Sequence, residues 1–227
     1  MKLNLLDSIQ RGNVLKILKQ FKHSPWLLFN CGWNLSSYSP IGGVDLNALK
    51  SVCSNLDVRW VGESLSIKSE ADRNFNLSFP IQRSQHQVNV VCEKIIRIQK
   101  VLPARLILGN PEKTINIDSK IDELEFTARI LENVDCDFLI DFSSLFQFCK
   151  TQKFTPKEYI EVCSSKVRVL SLDEKSFEDD ALGDLEVIFD RCNLEVVCAK
   201  VEILNRIDKK LEGSKLRKKV IERLGEF

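Results

Sequence analysis

The sequence predicts an α/β fold of the TIM-barrel kind, a parallel sheet with crossover helices that is incomplete at about seven strands, the first being missing. Three observations carry this expectation. Short apolar runs alternate with amphipathic stretches along the chain, the pattern of parallel strands joined by helices. The apolar runs end in turn-forming or polar residues, Asn30-Cys31-Gly32, Glu63-Ser64, Gly109-Asn110-Pro111, Asp141-Phe142-Ser143-Ser144 and Ser171-Leu172-Asp173. Such ends converge on one face when a parallel sheet closes. The length, 227 residues, suits one domain, 1–227, but falls short of the roughly 250 residues of a complete eight-stranded barrel.

Taken in order, the strand candidates are Leu3–Leu6, Trp26–Asn30, Val58–Glu63, Arg105–Leu108, Phe138–Asp141, Val167–Leu172 and Leu194–Cys198. Each is a short run rich in β-branched or large apolar residues, bounded by turn formers. Between them helical spacing appears in Asn13–Phe21, Asp45–Cys53, Ser84–Leu102, Ile121–Asn133, Pro156–Cys163 and Ala181–Arg191. In Ser84–Leu102 the residues Val88, Val91, Cys92, Ile95 and Ile98 fall near one helical face. Ile203–Leu224 closes the chain with apolar residues among lysines, interrupted by Gly213. No repeat, low-complexity tract or proline-rich linker divides the sequence.

Composition narrows the partners. Lys and Arg number 33 against 32 Asp and Glu, so overall charge gives no reason to expect nucleic acid or an anionic membrane. With 44% apolar and 29% charged residues and no apolar run near the length of a span, the chain reads as a soluble globular protein. The start MKLNLLDSIQRGN lacks a long apolar segment and a small-residue cleavage site, and the expected location is the cytoplasm. The eight cysteines form no Cys-x-x-Cys pair and mostly sit beside Val, Leu or Phe, as reduced, buried small hydrophobes do.

The chemistry of the strand ends is sparse. A metal site there needs several His, Asp or Glu side chains within bonding distance. The two histidines are His23, just before a strand and at the end opposite the rim, and His86, in the first turn of a helix. Neither is placed as a ligand. The acids at strand ends are Glu63 and Asp141. They are expected to bind strand-end backbone groups or to meet Lys200 or an arginine in a rim salt bridge.

At this point the sequence resembles a known family. From Asp122 to Asp173, DELEFTARILENVDCDFLIDFSSLFQFCKTQKFTPKEYIEVCSSKVRVLSLD is similar to the multinuclear non-haem iron-dependent oxidases. These are bacterial TIM-barrel proteins of the xylose-isomerase-like kind, several of which modify cysteine-containing residues of ribosomally made peptides. Upstream, LLFNCGWNLSS, VGESL and IRIQKVLPARLILGNP look like the family's histidine-and-loop segment, its Ser-Glu-His-Leu strand end and its helix and strand ending in Glu-Asn-Pro.

The resemblance implies which positions would hold metal, and most have changed. Phe29 stands where the family has its first histidine and Ser64 where another follows the retained Glu63. Gly109 replaces the glutamate before Asn110 and Pro111, Asp141 is retained, and Ser144 and Ser171 replace an asparagine and a histidine. The last strand's acid falls near Ala199 or Lys200. Two carboxylates and an amide suit at most a loosely held divalent ion, with Glu63 and Asp141 as its ligands, so no cofactor is expected.

Two functions follow as expectations. One is a non-catalytic barrel that binds a peptide or a protein partner, through the mouth or through a sheet edge left open because the strand before KLNLLD is missing. Phe29, Trp33, Tyr38, Trp60, Phe142, Phe146 and Phe148 lie on or near the rim segments and are either contact surface or ordinary core. The other is an altered enzyme using Glu63, Asp141 and Lys200 for proton transfer. The first prediction for the fold is that Glu63, Asn110, Asp141, Ser144 and Ser171 open onto one face.

Overall fold

A computed structural model describes residues 26–42, 45–70, 73–79, 81–111, 117–173, 176 and 181–199. The described residues fall into two compact units, one running up to Gly109 and resuming at Ile117–Cys136, the other holding Asn110 and the residues from Asp137 onward. The expected Leu3–Leu6 strand with its open edge, and the helices Asn13–Phe21 and Ile203–Leu224, lie outside the described residues, as do His23 and Lys200.

The first unit contains strands β1 (Trp26–Phe29), β2 (Val58–Ser64), β3 (Ile67–Glu70), β4 (Arg73–Phe79) and β5 (Arg105–Gly109), with helices α1 (Leu46–Asn55), α2 (Gln85–Gln99) and α3 (Glu123–Asn133). Strands β1, β2 and β5 are parallel, with Phe29 opposite Gly62 and Ser64 opposite Gly109. A Cβ on Gly62 would stand 2.0 Å from the Ile107 carbonyl oxygen, so only glycine lets β2 and β5 approach this closely. The buried faces of the strands and of α2, with Leu28, Trp60, Ile107, Val91 and Ile95 at or below 2% exposure, form the core that the helical and strand periodicities predict.

Strands β3 and β4 pair antiparallel as a hairpin that the sequence reading did not anticipate. Phe75, Leu77 and Phe79 alternate with polar residues there, a period-two signal that was present but short.

The second unit contains β6 (Asp137–Asp141), α4 (Phe142–Cys149), α5 (Pro156–Cys163), β7 (Val167–Leu172), α6 (Leu182–Arg191) and β8 (Val196–Ala199). Its strands are parallel in the order β6, β7, β8, with Asp141 opposite Ser171 and Leu172 opposite Ala199. Strand β8 thus sits slightly later than the expected Leu194–Cys198. Tyr159 and Ile160 on α5 are fully buried, and the Tyr159 ring lies 6.3 Å from Phe138 and 5.9 Å from Phe154. Three parallel strands in each unit, with intervening helices, make the α/β class of an incomplete TIM barrel.

Helix starts follow local chemistry. Ser84 accepts a hydrogen bond from the Gln87 amide, and Asp122 accepts one from the Glu125 amide, each satisfying an orphan donor of the first turn. Thr155 and Glu158 form a reciprocal capping box with Pro156 at the first helical position. Helix α4 is not among the helices that the sequence predicts. Phe142, Leu145, Phe146 and Cys149 recur at helical spacing and are buried, a signal hidden by the absence of any break after the strand.

Candidate functional site

The strand ends of the first unit are built around packing. The Phe29 ring ends 2.5 Å from the point where a Cβ on Gly109 would stand. Since Phe29 is 3% exposed, the ring occupies the room that any side chain at position 109 would need. Beside it Glu63, 1% exposed, accepts a 2.6 Å hydrogen bond from the Trp33 backbone amide. That charge-assisted bond fixes the segment leaving β1 against the end of β2.

The same segment is held from α2. The Lys94 ammonium, almost fully buried, donates to the carbonyls of Asn34 at 3.1 Å and Ser37 at 2.6 Å, and the Gln87 amide donates to the Ser36 carbonyl at 2.5 Å. Asn30, Gly32 and Asn34 take left-handed backbone angles, φ 62°, 73° and 54°, which asparagine and glycine tolerate best. Burial, with the Glu63 charge adding to it, pushes the Cys31 thiol well above its ordinary range, so Cys31 stays a protonated core residue.

The strand ends of the second unit are polar. Asn110 accepts from the Asp141 amide at 2.7 Å through its side-chain oxygen. Asp141 in turn accepts from the Ser144 amide at 3.1 Å, capping α4. The Ser171 hydroxyl donates to the other Asp141 oxygen at 3.5 Å, while Ser143 lies 3.4 Å from Asp141 and 2.8 Å from Asp173. Asp173 is itself fixed by the Ser176 amide and hydroxyl, both at 3.1 Å.

The expected site residues therefore group by unit. Phe29, Glu63, Ser64 and Gly109 cluster at the ends of β1, β2 and β5, and Asn110, Asp141, Ser144 and Ser171 at the ends of β6 and β7. Glu63 and Asp141 both satisfy backbone amides, as their residue types and positions suggest. Sequence reasoning missed Lys94 and Gln87, and placed Ser143 and Asp173 at strand ends without giving them a role. Lys94 was hidden because a lysine on an otherwise apolar helical face reads as solvent-exposed. Of the seven rim aromatics only Tyr38 is exposed, at 61%, and the other six are buried, so the core reading holds for those six. Tyr38 stacks on His86 at 5.6 Å.

Comparison with known proteins places this arrangement. Residues 7–172 match the family model described as RiPP precursor modification enzyme MbnB/TglH/ChrH, and the chain belongs to that family. A UPF0276 protein of Pseudomonas aeruginosa is 27% identical over 142 residues, which are 63% of this chain and 50% of the relative. Another, of Anaeromyxobacter sp., is 24% identical over 151 residues, 66% and 53% of the two chains. A third, of Vibrio parahaemolyticus, is 25% identical over 115 residues, 50% and 40%. The chain spans about half the length of the curated relatives it matches.

The residues present do not fit the iron centre that the resemblance implies. Of the residues that the resemblance would put at ligand positions, Phe29 and Gly109 are packed together, Glu63 accepts from the Trp33 amide, and Asp141 caps a helix. Among the described residues, no three His, Cys, Asp or Glu side chains group as metal ligands. No helix among the described residues is long and apolar enough to cross a membrane.

Proposed function

We propose that this chain is a non-catalytic member of its family, an accessory protein that binds a ribosomally made peptide or an intact homologous peptide-modifying enzyme. The observation that carries this reading is the Phe29 ring in the space of a residue-109 side chain. A ring packed there fills the space of two positions that the resemblance would give to metal ligands. Eight free cysteines suit work in the reducing cytoplasm.

A second reading, an altered enzyme moving protons through Asp141 and its partners, draws on the Ser143 hydroxyl shared between the Asp141 and Asp173 carboxylates. One preparation separates the two. Full-length protein from iron-supplemented cells is expected to be colourless with well under one iron per chain, and to be recovered with a peptide or homologous enzyme from its native host. Stoichiometric iron with a charge-transfer band would overturn the non-catalytic reading.

A further inference from the structure

A buried ion pair joins the two segments that lead into helices α2 and α3, both within the first unit. Arg83, just before α2, is 8% exposed, and Glu123, the first residue of α3, is 5% exposed. Arg83 grips the segment entering α3 through its backbone and its side chain together. Its amide donates to the Ser119 hydroxyl at 3.1 Å, and its carbonyl accepts from the Lys120 amide at 3.0 Å. Its guanidinium donates to the Ile121 carbonyl at 3.4 Å and to the Glu123 carboxylate at 3.2 Å. The other Glu123 oxygen accepts from the Thr127 hydroxyl at 3.3 Å.

These bonds sit where the chain returns to the first unit, which it leaves after Gly109 and re-enters at Ile117. Asp118, Lys120 and Asp122 are exposed there, so a shift of this short segment brings water to Glu123 while the apolar core stays closed. The carboxyl is pulled two ways. Burial, the larger effect, favours its protonated form, as does the neighbouring Asp122 charge, while Arg83 and the Thr127 hydroxyl favour the ionised form. A protonated carboxyl rests in the closed arrangement at little cost, and an ionised one gains by reaching water.

We infer that Arg83 and Glu123 form a proton-controlled latch, shut while Glu123 carries its proton and loosened when it ionises, which sets how firmly the segment entering α3 is held against the segment entering α2. Burial lifts the carboxyl from 4.5 to about 7, so the latch works near neutrality. It goes beyond the binding reading and does not depend on it.

Hydrogen exchange on the full chain tests this at the Arg83 and Lys120 amides, the latch's own backbone donors, after correction for the intrinsic pH dependence of exchange. Both are expected to be less protected than the amides of β5, because the latch opens without the core. Their protection should fall by about 50- to 100-fold between pH 5 and pH 8, as a carboxyl titrating near 4.5 when open and near 7 when shut requires. E123Q should keep its protection level over that range. H86Q, which removes the histidine in the first turn of α2, should leave the wild-type profile intact. R83M, lacking the cation that favours ionisation, should push the fall to higher pH. Protection equal to that of β5 would show that the contact opens only with the whole unit and would defeat the latch. A flat wild-type profile, or the wild-type fall retained in E123Q, would remove its control by this proton.

Discussion

The Phe29 ring and Gly109 are fitted to each other, with the ring's ζ carbon 2.5 Å and its two ε carbons 3.4 and 3.5 Å from where a Cβ on Gly109 would stand. The contact crosses β2, since Phe29 pairs with Gly62 while Gly109 pairs with Ser64. Neither residue can change alone without cost. A carboxylate at 109 meets the ring, and a smaller side chain at 29 leaves a void beside a glycine.

This coupling is measurable in a double-mutant cycle. G109A is expected to destabilise the protein by about 1–3 kcal/mol through overpacking, and F29A by about 3–5 kcal/mol through the cavity it leaves. In F29A/G109A the methyl enters space the ring has vacated, so the pair costs less than the two singles together. Urea denaturation of the four proteins checks this, and strict additivity would mean that the ring does not fill the position-109 space.

The second coupling lies at Asp141. Its carboxylate caps α4 through the Ser144 amide, so D141A is expected to cost about 1 kcal/mol, whereas D141N, which keeps an accepting oxygen, is nearly neutral. Thermal melts of the two variants decide the role. Equal losses would point to the negative charge, through Ser143 and Ser171, rather than to the cap.

Much of this was legible before the structure. Asp141, Glu63 and the strands around them follow from apolar runs ending in polar residues, and α5 is announced by Thr155, Pro156 and Glu158. What escaped was whatever depends on partners distant in sequence. Nothing local tells that Lys94 turns inward to the Asn34 and Ser37 carbonyls, 60 and 57 residues away. Nor can Phe29 and Gly109 be read as a fitted pair until the ring is seen in the glycine's space. Helix α4 failed for a different reason: periodicity needs a boundary, and Asp141 is both the end of β6 and the cap of the helix.

Lys94 gives a third expectation. K94M keeps the apolar stem but leaves two buried carbonyls without their ammonium partner, at a cost of about 2–4 kcal/mol. Because those carbonyls belong to the segment leaving β1, the loss should appear locally first. Hydrogen exchange at residues 33–37 is expected to accelerate before the rest of the first unit does. Uniform acceleration would mean that Lys94 supports the whole unit and not that segment.

The final prediction concerns pH. Glu123 is buried beside Arg83, whose guanidinium lies 3.2 Å from its carboxylate, and Thr127 donates to its other oxygen at 3.3 Å. Burial pushes the carboxyl up from an ordinary value of 4.5 to about 7, with Arg83 offsetting part of the rise. The folded protein therefore holds this proton more tightly than the unfolded chain. Its contribution to stability is complete below about 4.5, declines as pH rises toward about 7, and is constant above that. The gap corresponds to roughly 3 kcal/mol. In E123Q nothing titrates at this position, so the fall in urea midpoint between pH 5 and pH 8 should be smaller than in the wild type. Parallel pH profiles for the two proteins would mean that Glu123 stays ionised beside Arg83 throughout, and that the ion pair, not burial, governs it.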